Sequence, residues 1–174
     1  MTEIIKRAPG WEFDIITAKI KPELASVEHL DRVHIYRLGS GKKSDKLFLP
    51  LTGLMLAKKL HRQFNYRLAW GIMASYGSLA ASLFSLTTKK LPFFISVYEG
   101  DLSAKRGWWL NLAYRFIFRR AHRWQLVADI STQQQAYLED ERQIQVVKLD
   151  ENWDLLAKRT KEMFQETEIL SARL

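Results

Sequence analysis

Short runs of β-branched and aromatic residues alternate with longer segments of helical periodicity along this sequence. Such alternation is typical of an α/β fold, in which helices cover a parallel sheet. Strands are predicted at Glu12–Thr17, Arg32–Arg37, Arg67–Met73, Phe93–Val97, Gln125–Ile130 and Gln143–Lys148. Helices are predicted at Lys46–Phe64, Gly77–Thr88, Trp108–His122 and Thr132–Glu139. With 47% hydrophobic residues among 174, the chain can bury one full core.

The two ends of the sequence depart from this alternation. Thr2–Arg7 has the pattern of a helix end, stopped by Pro9 and Gly10, whereas a doubly wound domain begins with a strand. Near the other end, a helical segment at Leu155–Gln165 precedes a strand-like segment at Glu168–Leu174. We therefore expect a domain without its first strand, followed by the beginning of a further unit.

The residue types exclude several classes of chemistry. The sequence has no cysteine, so disulfides, thiolate metal sites and cysteine nucleophiles are excluded. Its four histidines form no cluster along the chain, and we expect neither a metal nor a cofactor. The absence of a G-x-S-x-G motif and of a Walker loop argues against hydrolases and nucleotide hydrolysis. No apolar run reaches the ~18–20 residues of a membrane span, so we expect a soluble or peripheral protein. The lack of cysteine fits a reducing, cytoplasmic setting.

A net charge of +8 predicts an anionic partner, which can be nucleic acid, an acidic membrane surface or a phosphorylated substrate. Lys42–Arg67 contributes seven basic residues and one acid, interleaved with apolar residues. This segment predicts a helix that packs on the sheet with a solvated outer face, or one that lies on an anionic bilayer. Both can hold for one helix, and Lys58, Lys59 and Arg62 are its candidate membrane or phosphate contacts.

Lys105–Arg123 is a second basic segment, with six basic residues and no acid. Arg115, Arg119 and Arg123 recur at intervals of four, which predicts one helix face that contacts phosphates or lipid head groups. The opposite side is predicted to carry the apolar residues Trp108, Trp109, Leu112, Phe116 and Ile117. No nucleic-acid recognition motif accompanies the charge, so we expect no nucleic-acid partner.

Tyr98, Glu99, Gly100 and Asp101 directly follow the predicted strand Phe93–Val97. Open α/β sheets bind ligands in the loops after the carboxyl ends of their strands. A Glu-Gly-Asp sequence is equally suited to a simple turn. On spacing alone, both interpretations stay open.

Five segments, in order along nearly the whole chain, resemble the N-terminal domain of the family-4 (group 1) GT-B glycosyltransferases. Pro9–Thr17 is similar to that family's G-H-E-V-x-V-I-T, and Phe94–Leu102 to its V-V-x-T-x-H-G-x-D-L strand and loop. Arg120–Leu138 resembles R-A-D-x-V-x-x-x-S and the helix after it, which ends in Y-L. Val147–Asp154 falls where P-N-G-V-D closes the domain, and Ile169–Leu174 resembles I-L-x-V-G-R-L, the first donor-domain strand.

The sequence also departs from the pattern of that family. Tyr98 stands where many members have a histidine that contacts a sugar, and Asp150, Glu151 and Asn152 replace Pro-Asn-Gly. The glycine-rich loop after the first strand has no counterpart in the sequence, nor does the carboxylate motif of the donor domain.

The resemblance implies a Rossmann-like domain with an open, mostly parallel sheet and helices on both faces at residues 1–154, lacking its first strand. Residues 155–174 are then an interdomain segment and the start of a donor domain. The implied reaction transfers a sugar from a nucleotide sugar to a lipid-linked or polysaccharide acceptor, with retention at the anomeric carbon. Acceptor contacts are implied for Ser75, Tyr76, Gly77, Tyr98, Glu99, Gly100 and Asp101. Arg173 matches a position that reaches the donor diphosphate.

By the same resemblance we expect no metal, a place on the inner face of the cell membrane, a role in polysaccharide or cell-envelope biosynthesis, and no turnover by this chain alone. Two alternatives stay open. The first is a non-catalytic scaffold subunit that recruits a split glycosyltransferase to the membrane. The second is a basic nucleic-acid-binding domain.

Overall fold

The computed structural model describes residues 5–6, 10–89, 91–98, 108–128, 144–148 and 153–172. Within these ranges strands and helices alternate as the sequence pattern predicts. The elements are β1 (Phe13–Ala18), β2 (Val27–Leu30), β3 (Val33–Leu38), α1 (Asp45–Phe64), β4 (Ala69–Ile72), α2 (Tyr76–Thr87), β5 (Phe93–Tyr98), α3 (Trp108–Arg120), β6 (Arg123–Ala128), β7 (Ile144–Lys148) and α4 (Trp153–Ala172). Ile5 and Lys6, within the predicted helix end, are also helical.

The strands form two sheets. In the larger sheet β4, β5, β6 and β7 are neighbours in that order, and every pair is parallel. In the smaller sheet β3 lies in the centre, parallel to β1 and antiparallel to β2. β1 and β4 are therefore each at the edge of a sheet.

Helices α1, α2 and α3 cover one face of the larger sheet. Phe93, Ile95 and Val97 of β5 are at most 1% exposed and share one core cluster with Phe84 of α2 and Ile117 of α3. Every second side chain of a strand points to the same face of the sheet, so these three residues of β5 face the layer formed by α1, α2 and α3, here called the helical layer. Burial of these large apolar side chains is the main stabilising contribution to the layer.

Helix α4 covers the opposite face. Its Met163 and Phe164 pack with Phe94 of β5, and the rings of Phe94 and Phe164 meet edge-on at 5.3 Å. Helices thus lie on both faces of an open, mostly parallel sheet. The predicted Rossmann-like fold class is confirmed.

A chain of buried side-chain hydrogen bonds also runs across the α4 face. Trp70 Nε1 of β4 donates to Ser96 Oγ of β5 at 2.9 Å, and Ser96 donates to Gln125 Oε1 of β6 at 3.0 Å. Gln125 Nε2 in turn donates to Thr160 Oγ1 of α4 at 2.9 Å. An unpaired polar group in the interior lowers the free energy of unfolding. This series of hydrogen bonds therefore fixes the position of α4 on β4, β5 and β6.

The two sheets share their helical cover, which places β1 beside β4. Ile16 of β1 packs against the core cluster of the helical layer. On the α4 face, the rings of Phe13 of β1 and Trp70 of β4 are 6.4 Å apart. Tyr66, which precedes β4, donates its hydroxyl hydrogen to the carboxylate of Asp14 in β1.

Two glycines set how closely the helices approach. A Cβ on Gly71 of β4 would lie 2.6 Å from Ser78 Oγ of α2 and 3.1 Å from Phe93 Cε2. A Cβ on Gly53 of α1 would lie 3.2 Å from the Cβ of Ala80 in α2. Gly71 is therefore required by the contact between α2 and the sheet.

His122, between α3 and β6, holds the start of β6 to β5. Its main-chain N–H donates to the Phe93 carbonyl at 2.8 Å, and its ring Nδ1 accepts the Phe93 N–H at 3.1 Å. The second bond requires an unprotonated Nδ1. Burial, and after it the positive charge of Arg120, lowers the pKa of His122.

Some predicted elements differ from the structure. The strand predicted at Arg67–Met73 begins only at Ala69, and the one predicted at Gln125–Ile130 lies at Arg123–Ala128. β2 was not predicted, because its four residues are mostly exposed and lack an apolar alternation. The helix predicted at Thr132–Glu139 lies outside the described residues.

The strand predicted at Glu168–Leu174 is wrong as far as Ala172, because α4 continues to that residue. The buried positions Thr160, Met163, Phe164 and Thr167 follow a helical spacing that ties this segment to the sheet. The domain division after residue 154 stays a prediction.

Replacing Gly71 by alanine should destabilise the fold by roughly 1–3 kcal/mol, because the added methyl group overpacks the contact with Ser78 and Phe93. Gly77→Ala is the matched control, since its Cβ would meet nothing closer than 3.5 Å. In a helix that exchange should stabilise by about 0.5–1 kcal/mol. Urea unfolding followed by tryptophan fluorescence measures both, and equal effects would contradict the packing described for Gly71.

Stability should decrease as the pH falls below about 6.5, the ordinary pKa of an unfolded histidine. The pKa of His122 is lower in the folded state, so protonation favours the unfolded chain. His122→Asn keeps an acceptor near the position of Nδ1 but does not titrate, and should reduce this dependence. Urea midpoints at pH 7.5 and 5.0 test it, with the exposed His29→Asn as a control that should retain the wild-type difference.

Candidate functional site

The carboxyl ends of the parallel strands meet at one edge of the molecule, here called the rim: Ala18, Leu38, Ile72 and Tyr98 end β1, β3, β4 and β5. α1 starts after β3 and returns to the beginning of β4, and α2 connects β4 to β5 in the same way. A Cβ on Gly77, in the first turn of α2, would lie 4.0 Å from Leu49 Cδ2 of α1. The two helices therefore begin side by side at this rim, where open α/β sheets bind ligands.

Ser75, Tyr76 and Gly77 form the start of α2 at the rim. Ser75 is the N-cap residue, and its hydroxyl oxygen accepts the Ser78 N–H at 3.4 Å. The first turn of α2 carries no acidic residue. The first N–H groups of a helix have no partner within the helix, so those of Tyr76 and Gly77 can bind phosphate or hydroxyl oxygens.

The turn that leads into α2 is held tightly. Met73 has a φ of 59°, in the left-handed region, and its N–H donates to the Ser96 carbonyl at 2.8 Å. Its carbonyl accepts the hydroxyl hydrogen of the buried Ser78. Met73 itself is exposed, so an apolar side chain stands at the rim beside the start of α2.

The loop between β3 and α1 is already filled by a side chain. Asp45 Oδ2 accepts the main-chain N–H groups of Ser40, Gly41 and Lys42 at 2.6, 2.8 and 2.9 Å. These bonds, that of Lys42 foremost, lower the pKa of Asp45. The glycine-containing loop thus binds its own carboxylate, which leaves the start of α2 as the anion-accepting part of the described rim.

The basic residues predicted on the first segment share one exposed face of α1. Lys59 and Arg62 are exposed and Lys58 is half-buried. The N-terminal half of the same face carries exposed apolar side chains, with exposures of 55–71% for Leu47, Phe48, Leu51 and Met55. We call this set the α1 stripe; its members lie within about 120° of one another at 100° per residue.

Helix α3 presents a similar mixture, which corrects the predicted separation of apolar and basic sides. Trp108 and Leu112 are 67% and 56% exposed and share a face with the exposed Arg115 and Arg119. Ile117 is buried in the core. Fewer of the apolar residues of α3 therefore pack on the sheet than the sequence pattern predicts.

Arg123 does not belong to that helix face, because α3 ends at Arg120. It opens β6, and its guanidinium lies 3.5 Å from the carboxylate of Glu166 on α4. Arg123 therefore points to the face opposite α3, and the predicted row of three arginines is wrong at this position.

Tyr98 is the last residue of β5 and lies at the rim, and its predicted contact with an acceptor stays a prediction. Glu99, Gly100, Asp101 and Arg173 lie outside the described residues. Their predicted roles in acceptor and donor binding stay predictions.

A cluster of titratable groups was not predicted, because its members come from three separate segments. Asp14 of β1 lies directly opposite His34 of β3, with 3.1 Å between Oδ1 and Nδ1, and also accepts the Tyr66 hydroxyl. Burial, followed by the bond to Asp14, raises the pKa of Tyr66 and keeps its hydroxyl protonated. The His29 and His34 rings meet at 4.8 Å. This cluster lies at the amino ends of the strands, away from the rim.

Within the described ranges, no group of three or more histidine, aspartate or glutamate side chains is placed to hold a metal ion. No helix in that part of the chain is long and apolar enough to cross a membrane.

Comparison with known proteins adds one finding. No family model and no curated protein matches the sequence. A solved structure of sucrose-phosphate synthase from Thermosynechococcus elongatus is similar, with a TM-score of 0.68 over 95% of this chain and 92% of that chain. The two sequences are 16% identical, so the similarity shows a shared fold and nothing finer.

Proposed function

We propose that this chain is the acceptor-side part of a retaining glycosyltransferase of family 4, which moves a sugar from a nucleotide sugar to a lipid-linked or polysaccharide acceptor. The observation that supports it most is the shared fold with sucrose-phosphate synthase over nearly the full length of both chains. Four of the five sequence segments that resemble family 4 support it independently, because they occur in the order of that fold. The fifth, Ile169–Leu174, is helical as far as Ala172 and gives no support.

The start of α2 is the proposed acceptor site. Phosphates and sugar hydroxyls need hydrogen-bond donors, and the apolar face of a sugar ring needs an aromatic surface on which to stack. The N–H groups of Tyr76 and Gly77 supply donors, and the half-exposed ring of Tyr76 supplies a surface. Tyr98, Glu99, Gly100 and Asp101 would complete this wall from the next strand, and Arg173 would contact the donor.

Retaining transfer depends mainly on positioning both substrates and on neutralising the leaving diphosphate. In this proposal the nucleotide sugar is held by a second lobe opposite the rim, and no metal is required. The chain alone is then expected to bind acceptor without turnover.

The outer surface of the helical layer supports a membrane as the second partner. The α1 stripe joins exposed leucine, phenylalanine and methionine side chains to Lys58, Lys59 and Arg62. α3 lies in the same layer and exposes Trp108 and Leu112 beside Arg115 and Arg119. Interfacial helices combine apolar burial with attraction to anionic lipids in this way. A nucleic-acid surface would need the cations without so much exposed apolar area.

Acceptor binding should depend on Tyr76. Ligand-observed NMR with two probes, a prenyl-phosphate-linked N-acetylglucosamine and a maltooligosaccharide, is expected to show binding of one of them. Tyr76→Ala should weaken it roughly tenfold, about 1.4 kcal/mol, through loss of the stacking surface. Thr87→Ala, at the far end of α2, is the matched control and should bind like wild type. Wild-type protein that binds vesicles but neither sugar would favour the scaffold alternative.

Binding to vesicles of phosphatidylglycerol and phosphatidylcholine should depend on both halves of the α1 stripe. Lys59→Glu with Arg62→Glu should lower the partition coefficient roughly tenfold or more, at ~1 kcal/mol per basic residue. Leu51→Ser with Met55→Ser should do the same through lost apolar burial. Flotation assays measure both.

The matched controls for vesicle binding are Lys21→Glu with Lys89→Glu, and Leu86→Ser, which change exposed residues outside the stripe. Losses of the same size in the controls would show that net charge alone drives binding. A gel shift on DNA or RNA that weakens steeply with salt, without any vesicle binding, would favour the nucleic-acid alternative.

A further inference from the structure

The cleft between β1 and β4 is lined on both sides by main-chain groups that could bond one more strand. Among the described residues both strands are sheet edges, and no ladder joins them. In a parallel sheet, alternate residues direct their N–H and C=O groups to opposite sides. It follows from the observed bonds which residues of each strand face the cleft.

On β1 the residues that face β3 are the odd-numbered ones. Phe13 N–H donates to the Arg32 carbonyl at 2.9 Å, and Lys19 N–H to the Leu38 carbonyl at 2.7 Å. The main-chain groups of Asp14, Ile16 and Ala18 therefore point away from β3, into the cleft.

On β4 the odd-numbered residues likewise face the neighbouring strand. Ala69 N–H donates to the Pro92 carbonyl at 2.9 Å and Met73 N–H to the Ser96 carbonyl at 2.8 Å, on the side of β5. Trp70 and Ile72 then direct their main-chain groups into the cleft from the other side. The hydroxyls of Ser75 and Ser78 already donate to the Ile72 carbonyl, so part of its hydrogen-bonding capacity is used.

The cleft is covered on both faces. Toward the helical layer lie Ile16, Gly53 and Ala80, since a Cβ on Gly53 would be 3.2 Å from the Cβ of Ala80 and 3.6 Å from Cγ2 of Ile16. Toward α4, the rings of Phe13 and Trp70 are 6.4 Å apart across the cleft. Two strands that flank a third lie roughly 10 Å apart, a spacing that lets such rings meet over it.

The lining also defines the chemistry of an occupant. Asp14 is the ionisable residue of β1 and β4, and it is already bonded to His34 and Tyr66. All other residues of the two strands are uncharged and mostly apolar. Strands buried on both faces are typically near-continuous apolar runs rich in valine, isoleucine and leucine, without charge, and proline is rare in them.

We propose that the cleft takes up an extended apolar segment of another polypeptide, about six residues long, as a parallel strand bonded to both β1 and β4. The parallel order β3-β1-insert-β4-β5-β6-β7 then becomes that of a single doubly wound sheet. The inserted main chain satisfies the inward N–H and C=O groups on both sides. This inference does not depend on the transferase proposal.

Amide hydrogen exchange tests the proposal residue by residue. The probe is a ten-residue peptide with capped ends, six central valine and isoleucine residues and lysines at both termini. At saturation it should slow exchange roughly tenfold or more at Asp14, Ile16, Ala18, Trp70 and Ile72, since amides bonded within the sheet are protected. The amides of Phe13, Ala69 and Met73, already bonded to neighbouring strands, should change far less.

Two controls make the test specific. A peptide with prolines at two alternate central positions lacks the donors and should not protect these amides. Ala18→Pro removes one cleft-facing N–H at the end of β1 without touching the bonds to β3, and should weaken the valine peptide roughly two- to tenfold, the value of one net hydrogen bond.

Three results would overturn the proposal. The first is equal binding of the valine and proline peptides. The second is equal slowing at the residues bonded to β3 and β5, which would indicate general compaction. The third is protection of the cleft amides without peptide, together with concentration-dependent dimers in sedimentation, which would assign the cleft to a second copy of this chain.

Discussion

Burial of β5 on both faces is the constraint on which the rest of the structure depends. Residues 91–97 are all buried, so one strand is packed by the helical layer through Phe93, Ile95 and Val97 and by α4 through Phe94. Ser96 is the polar exception, and it is bonded to both Trp70 and Gln125. The two layers are therefore fixed to a common strand, and the carboxyl ends of β4 and β5 keep a fixed relation at the rim.

The sequence was most informative where burial leaves a simple pattern. The run Phe93–Val97 is apolar except for Ser96, and such a nearly continuous apolar run is typical of a central parallel strand. The last turns of α4 were missed because Thr167 occupies a buried position that a search for apolar periodicity passes over. Its hydroxyl donates to the Met163 carbonyl one turn earlier, a bond that forms only within the helix. Thr160 is buried because Gln125 donates to its hydroxyl, and this tertiary partner is not visible in the pattern.

The candidate site was predictable in its location but not in its chemistry. Ligand loops after parallel strands follow from topology, and Ser75–Gly77 lies where that rule places it. That Asp45 fills the neighbouring loop, and that Arg123 faces Glu166, depend on side-chain directions that spacing cannot give. The Asp14–His34 pair likewise requires the register of β1 against β3.

The α1 stripe lies close to the start of α2, and this proximity bears on how an acceptor would reach the proposed site. The apolar half of the α1 stripe lies in the first three turns of α1, and α1 begins beside α2 at the rim. Soluble proteins seldom leave leucine and phenylalanine side chains this exposed together unless a partner covers them. If a bilayer covers the stripe, the start of α2 lies next to the head-group region. A sugar carried on a lipid could then reach Tyr76 while its chains stay in the membrane, and the energetic cost of extracting the lipid would not arise.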